Sequence, residues 1–171
     1  VRWARILRDL GHQVTIDTAY HDEPADMMVA LHAWRTADAS HRFRELYPRR
    51  PLVVALTGTD INEYIFKDPA PTLKSMEIAN RLVCLHDGAV DATPKKYRAK
   101  LDVIYQSAPP LTHPRQPSKR HFDVCVIGHL REVKDPLRAA YAVRSLPAGS
   151  RLRVSHLGMA HTPAWAEKAR D

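Results

Sequence analysis

The chain has 171 residues, 44% of them hydrophobic and 26% charged, enough for one domain of ordinary size or for parts of two. Its 26 Lys and Arg outweigh 19 Asp and Glu, a formal net charge of +7. No apolar run approaches the roughly 18 residues that a membrane-spanning helix needs, and no secretory signal is visible, so a cytoplasmic protein without an integral membrane segment is expected.

Trp3, Ile6, Leu7 and Leu10 fall at i, i+3, i+4 and i+7 and predict a helix over residues 1–10, stopped by Gly11. The chain begins at Val1 inside that helix and without methionine, which reads as a fragment. Val14 and Ile16 alternate in residues 13–18, a predicted strand. Strands are further expected at residues 26–31, 52–56, 81–85 and 102–105, and helices at 36–46, 72–79, 87–92 and 94–99. Continuous apolar strands alternating with helices argue for a parallel, doubly wound α/β domain with its sheet covered on both faces. Ligands of such sheets bind at the carboxyl ends of the strands. Two of those ends carry polar chemistry: His32 with Arg35, and Thr57-Gly58-Thr59-Asp60. Hydroxyls and backbone N–H groups there suit a small oxyanion, although Asp60 also fits the N-cap of a following helix and His32 a structural histidine.

Cys84 and Cys125 lie in strand-like runs and are expected to be reduced structural thiols. The ten histidines are scattered, and no Cys/His cluster has zinc-site spacing. Between Ala92 and His121, Lys95, Lys96, Arg98, Lys100, Arg115, Lys119 and Arg120 stand against Asp102 alone, a net +6. That stretch could steer anions. With only Tyr97 and Tyr105 for base stacking it does not read as a nucleic-acid surface, and a solvated face is the simpler account.

Pro109, Pro110, Pro114 and Pro117 crowd into the segment 108–121, a density that neither a helix nor a central strand tolerates. It divides an N-terminal domain, residues 1–107, from the start of a second, residues 122–171. The second opens with an apolar strand, Phe122 to Ile127, followed by Gly128-His129-Leu130-Arg131-Glu132-Val133-Lys134-Asp135-Pro136. A glycine where a strand turns toward a helix, with three basic side chains close by, suits a phosphate-bearing ligand. Asp135 and Pro136 are expected at the N-cap and first position of that helix. Its inner face would carry Leu137, Ala140 and Tyr141, with the stem of Arg144. Leu152, Val154 and His156 alternate in a further strand ending at Gly158.

Two α/β units joined by such a linker, the second opened by a phosphate-type turn, resemble the two-domain GT-B glycosyltransferases. Gly128, Leu130 and Lys134 are similar to the Gly-Arg-Leu…Lys-Gly element of family-four enzymes, with His129 where arginine is usual and Asp135 where glycine is usual. Longer stretches resemble the selenosugar synthases of selenoneine biosynthesis: Arg2 to Arg8 with Leu10-Gly11-His12, Val29 to Ala33, Pro51 to Asp60, Val103 to Ala108, and Gly128 to Pro136. The resemblance implies transfer of N-acetylglucosamine or glucose from a UDP-sugar to selenophosphate, with the UDP-sugar as co-substrate, no cofactor, and no residue assigned to a metal. It assigns the donor diphosphate to Gly128, His129, Arg131 and Lys134. Acceptor binding falls to His32, Arg35, Thr57, Gly58, Thr59 and Asp60, and His32 and Asp60 are the candidates for a catalytic role. It also implies that a first strand with a glycine-rich loop precedes Val1 and an acidic pair follows Asp171, so that the 171 residues alone are inactive or nearly so. A glycosyltransferase with a hydroxyl acceptor, and a non-catalytic two-lobed ligand-binding protein, are the alternatives.

Overall fold

A computed structural model describes residues 2–114 and 116–170. Val1, Arg115 and Asp171, which fall in the expected first helix, the basic linker and the second domain, lie outside the described residues. The chain divides into two compact units, Val1–Pro109 and Pro110–Asp171, with the boundary inside the proline-rich segment.

Unit 1 is built in the order α1 (Arg2–Asp9), β1 (Met28–Leu31), α2 (Ala37–Leu46), β2 (Leu52–Ala55), a π-helical turn (Asp60–Tyr64), α3 (Ile65–Lys67), α4 (Pro69–Ile78), β3 (Arg81–Cys84), α5 (Gly88–Ala92), a 3-10 helix (Lys95–Lys100) and β4 (Leu101–Val103). The four strands are parallel and stand in the order β1-β2-β3-β4, so each adds beside its predecessor in one direction. Right-handed crossovers between strands laid down in one direction place their helices on one face. There α2 and α4 pack on each other and on Phe43, Leu52, Val54, Met76, Leu82 and Cys84, all fully buried.

The opposite face is covered over β2 and β3, where Ala55 and Val83 are buried, and opens at β1. Leu31, in register with Ala55 and through it with Val83, remains 53% exposed at the carboxyl edge. Residues 13–18 form no strand, and Ile16 is exposed. Alternation alone is insufficient, because a strand needs a ladder partner for its backbone and this segment has none. Helix α4 starts earlier than its apolar pattern, since Pro69 takes the first turn, where a missing N–H is harmless.

Three cations of the basic stretch, Lys96, Arg98 and Lys100, are spent on unit 1 itself. Lys100 Nζ donates to the carbonyls of Glu77 and Ala79, at 2.8 and 2.7 Å, closing the carboxyl end of α4. Arg98 donates to the carbonyls of Thr93 and Asp91, at 2.9 and 2.8 Å. Lys96 reaches Glu77 and lies over the Tyr97 ring.

Unit 2 contains β5 (Phe122–Ile127), a 3-10 turn (Glu132–Lys134), α6 (Arg138–Arg144), β6 (Leu152–Leu157) and α7 (Pro163–Lys168). β5 and β6 are parallel and pair Val124 with Val154 and Val126 with His156. Burial alternates along β6, and the outward residues Ile127, Leu157 and Cys125 are exposed, so this sheet has one covered face where the apolar run predicts two. Cys84 is buried, and both cysteines are free thiols. The start of α6 also differs. Leu137 precedes its first residue without a side-chain cap, while Asp135 sits at φ +43° and ends the 3-10 turn. An N-cap needs extended backbone, which a left-handed Asp135 cannot provide. Tyr141, expected on the inner face of α6, is 55% exposed. Among the described residues no helix is long and apolar enough to cross a membrane.

Candidate functional site

Because the sheet of unit 1 is parallel, the carboxyl ends of β1 and β2 fall on one edge. The chain leaves them through His32 and through Thr57–Asp60. Asp60 holds the two exits together. Its carboxylate is fully buried and accepts backbone N–H groups from Ala33 at 3.0 Å, Thr57 at 3.0 Å, Gly58 at 2.8 Å and Ile61 at 3.2 Å. Charge-assisted bonds of this kind outweigh neutral ones. They also use up the acceptor capacity of Asp60 and the N–H groups of Thr57 and Gly58. The structure thus gives Asp60 and the Gly58 backbone a bracing task in place of the direct oxyanion contact expected from the sequence. Thr59, not Asp60, stands at the N-cap of the π-helical turn. Gly58 takes φ +116°, which only glycine adopts without strain.

His32 is buried and left-handed, at φ +82°. Such a conformation in a bulky residue persists only where its surroundings fix it. Here the His32 N–H donates to the Ala55 carbonyl at 2.8 Å, and its own carbonyl receives the N–H and hydroxyl of Thr36, at 3.1 and 2.9 Å. Nδ1 of the ring accepts the N–H groups of Trp34 and Arg35, at 3.3 and 3.2 Å. The ring proton therefore sits on Nε2, which donates to Thr59 Oγ1 at 2.8 Å. Burial pushes the His32 pKa down, and this outweighs the opposing pull of Asp60, whose Oδ2 is 3.9 Å from Nδ1. The ring is neutral near pH 7, and the His32–Asp60 proximity is not an ion pair. Both ring nitrogens are engaged by protein, so His32 aims Thr59 rather than touching a ligand.

Thr59 accepts from His32, which leaves its own hydroxyl proton free to donate. Arg35 is exposed, and its guanidinium has no hydrogen-bond or ion-pair partner among the described residues. Tyr64 stacks on Trp34 at 4.1 Å between ring centroids and meets His32 edge-on at 5.7 Å, while Trp34 Nε1 donates to Asp68 at 2.8 Å. This aromatic wall holds the His32 loop. The arrangement offers one oriented hydroxyl and one free cation to an anion at the strand ends.

Thr57 opens elsewhere. With Arg2, Trp3, Leu31, Ala55, Leu85, Gln106 and Ser107 it lines a cavity of about 240 Å³. Arg2, Trp3, Gln106 and Ser107 are missed when strand-end chemistry is sought only after β1 and β2. The same rule applied after β4 leads straight to Gln106 and Ser107.

In unit 2, Gly128 N–H donates to the Leu157 carbonyl at 2.9 Å and Leu130 N–H to that of Met159 at 2.9 Å, which pins the turn to the end of β6. His156 Nε2 binds the Gly128 carbonyl at 2.7 Å. His129 Nδ1 accepts the Met159 N–H at 3.2 Å, so this ring too is partly committed to structure. Arg131 Nε is buried without a protein partner. Lys134 is exposed, with its stem beside Gly128. The turn thus gathers Gly128, His129, Arg131 and Lys134, although helix α6 begins only at Arg138 and lends its N-terminus to none of them. Among the described residues no group of three or more His, Cys, Asp or Glu is placed to hold a metal ion. No protein-family model matches the chain, and no curated protein matches it.

Proposed function

We propose that the chain is part of a GT-B glycosyltransferase with a doubly wound N-terminal domain, moving N-acetylglucosamine or glucose from a UDP-sugar to selenophosphate. The observation that carries the reading is the Thr59 hydroxyl, aimed by His32 and standing on the same loop edge as the unpartnered Arg35. A small anionic acceptor needs a donor and a cation of that kind. Unit 2 supplies the complementary chemistry for the donor, with Lys134 and Arg131 at the Gly128 turn available to a diphosphate.

In the transfer, selenium of selenophosphate attacks the anomeric carbon. The C–Se bond forms as the C–O bond to UDP breaks, and the electron pair leaves on the diphosphate. Cationic groups at that diphosphate stabilise the charge that develops there. An anionic selenium nucleophile needs no proton removed, in keeping with a His32 whose nitrogens are both occupied.

The test is incubation of the protein carrying these residues with UDP-N-acetylglucosamine or UDP-glucose and selenophosphate, with UDP release and product mass as readouts. A selenium-linked sugar is the expected product. Release of UDP only with hydroxyl acceptors replaces selenophosphate by a hydroxyl compound. Saturable binding without any UDP release overturns the enzyme reading in favour of a ligand-binding protein.

A further inference from the structure

We propose that the cavity at the carboxyl edge of the unit 1 sheet binds a small anionic sugar-type molecule, its charge held by Arg2 and its ring laid against Trp3. The cavity is lined by residues from five separate parts of the unit: the start of α1, the end of β1, the end of β2, Leu85 after β3, and Gln106–Ser107 after β4. Its walls are of two kinds. Trp3, Leu31, Ala55 and Leu85 supply apolar lining, and Leu31 keeps 53% of its surface open although its register neighbours Ala55 and Val83 are buried. Arg2, Thr57, Gln106 and Ser107 supply polar lining.

The polar groups hold unspent hydrogen-bonding capacity. Arg2 Nε donates to Ser107 Oγ at 3.3 Å, and its two terminal nitrogens have no partner among the described residues. Ser107 receives that bond and keeps its own proton to donate. The Thr57 hydroxyl and the Gln106 amide have no side-chain partner among the described residues either. Among the described residues of the lining, Arg2 is the one that is charged, and none is a carboxylate.

That combination selects the ligand class. A guanidinium fork suits a phosphate or carboxylate. Hydroxyl and amide groups around an aromatic and aliphatic wall suit a ring with polar edges and an apolar face. At about 240 Å³ the space is below the range of roughly 300–1,000 Å³ typical of drug-sized pockets, a size that suits a monosaccharide with one anionic group. The inference goes beyond glycosyl transfer and stands without it, because the same lining favours the same ligand in a protein that performs no chemistry.

Calorimetric titration of the 171-residue chain with glucose 6-phosphate, glucose and inorganic phosphate tests it. Glucose 6-phosphate should bind saturably and more tightly than either other probe. Arg2→Gln should weaken it at least tenfold, and Gln106→Ala and Trp3→Leu several-fold, with circular dichroism unchanged for Arg2→Gln and Gln106→Ala. Absence of saturable glucose 6-phosphate binding overturns the proposal. So does binding that survives Arg2→Gln at full strength, or phosphate binding as tight as that of glucose 6-phosphate and indifferent to Trp3→Leu.

Discussion

His32 Nε2 stands 2.8 Å from Thr59 Oγ1, while Nδ1 of the same ring receives two backbone N–H groups from Trp34 and Arg35. A ring held at both ends is a spacer of defined tautomer. It turns a threonine hydroxyl into a directed donor, at the cost of a left-handed backbone at its own position. Of the four residues, Thr59 and Arg35 keep unspent donors, with His32 and Asp60 behind them. Thr59→Val should reduce selenophosphate use in the proposed reaction by about tenfold, the scale of one hydrogen bond to a charged group, whereas Thr59→Ser should keep it. Steady-state kinetics with varied selenophosphate decides it. Equal KM values for Thr59→Val and the parent would remove Thr59 from the acceptor site.

Asp60 should matter to stability before it matters to any chemistry. Asp60→Ala leaves buried N–H groups of Ala33, Thr57, Gly58 and Ile61 without an acceptor, a loss of about 3 kcal/mol or more for unit 1. Asp60→Asn keeps one acceptor oxygen and should fall between. Urea midpoints of unit 1 amides by NMR measure this. A folded, equally stable Asp60→Ala variant would show that the bracing role is wrong.

The pH response follows from two histidines. Burial lowers the pKa of His32 and, with Lys74 adding to the effect, that of His41, both from an ordinary 6.5. Below about 6.5 the unfolded chain therefore takes up protons that the folded unit refuses, so stability is fully present above that pH and is lost as the pH falls. Thermal unfolding at pH 8, 7, 6 and 5 should show Tm declining through the last two steps. His41→Gln should flatten the decline. A Tm that rises from pH 7 to pH 5 would contradict both assignments.

Much of the fold is legible from apolar runs. The strands after residues 27, 51, 80 and 100 follow from continuous hydrophobic segments too short to be helices, and the helices from the stretches that alternate with them. What sequence does not carry is pairing. Residues 13–18 alternate as well as any strand, yet find no ladder. The strand-end residues were legible as a group, because position after a parallel strand is itself a signal, but their division of labour was not. Asp60 spends its oxygens on N–H groups of residues 33, 57, 58 and 61, a competition set by the three-dimensional approach of the two strand exits. The cavity residues Arg2 and Ser107 are 105 positions apart, beyond any local pattern.

Asp135 takes a left-handed conformation at the position where the resembled turn usually has glycine. Asp tolerates that region better than alanine and less well than glycine. Asp135→Ala should therefore destabilise unit 2 by about 1 kcal/mol, while Asp135→Gly should match or exceed the parent. The exposed pair of Asp135 with Arg138 offsets little, as solvent-facing ion pairs do. Thermal melts of the three proteins give the order, and Ala equal to Gly would refute the conformational argument.

Lys134 is exposed and fixes no other part of unit 2, so its removal is a clean probe of the donor. Lys134→Ala should weaken UDP-sugar binding and turnover by about tenfold or more, the usual weight of a charge-assisted bond, without lowering Tm. Fluorescence titration with UDP and initial rates provide the comparison. Kinetics identical to the parent would take Lys134 out of the diphosphate site.

Gly158 decides whether the Gly128 turn exists in this form at all. A Cβ at Gly158 would lie 1.9 Å from the Gly128 carbonyl oxygen and 3.0 Å from His129 N, and those atoms are backbone, which cannot swing aside. Gly158→Ala must push the ends of β5 and β6 apart. The Gly128–Leu157 hydrogen bond and the Leu130–Ala160 bridge would go with them. Overpacking of this kind costs about 1–3 kcal/mol even where side chains can adjust, so unit 2 should lose at least that much. The same substitution should displace His129 and weaken UDP binding although residue 158 carries no ligand-binding group. Amide exchange should report the loss at Gly128 and Leu130 while unit 1 keeps its protection. Parent-like protection at both amides would mean that the two strand ends do not approach as closely as the geometry requires.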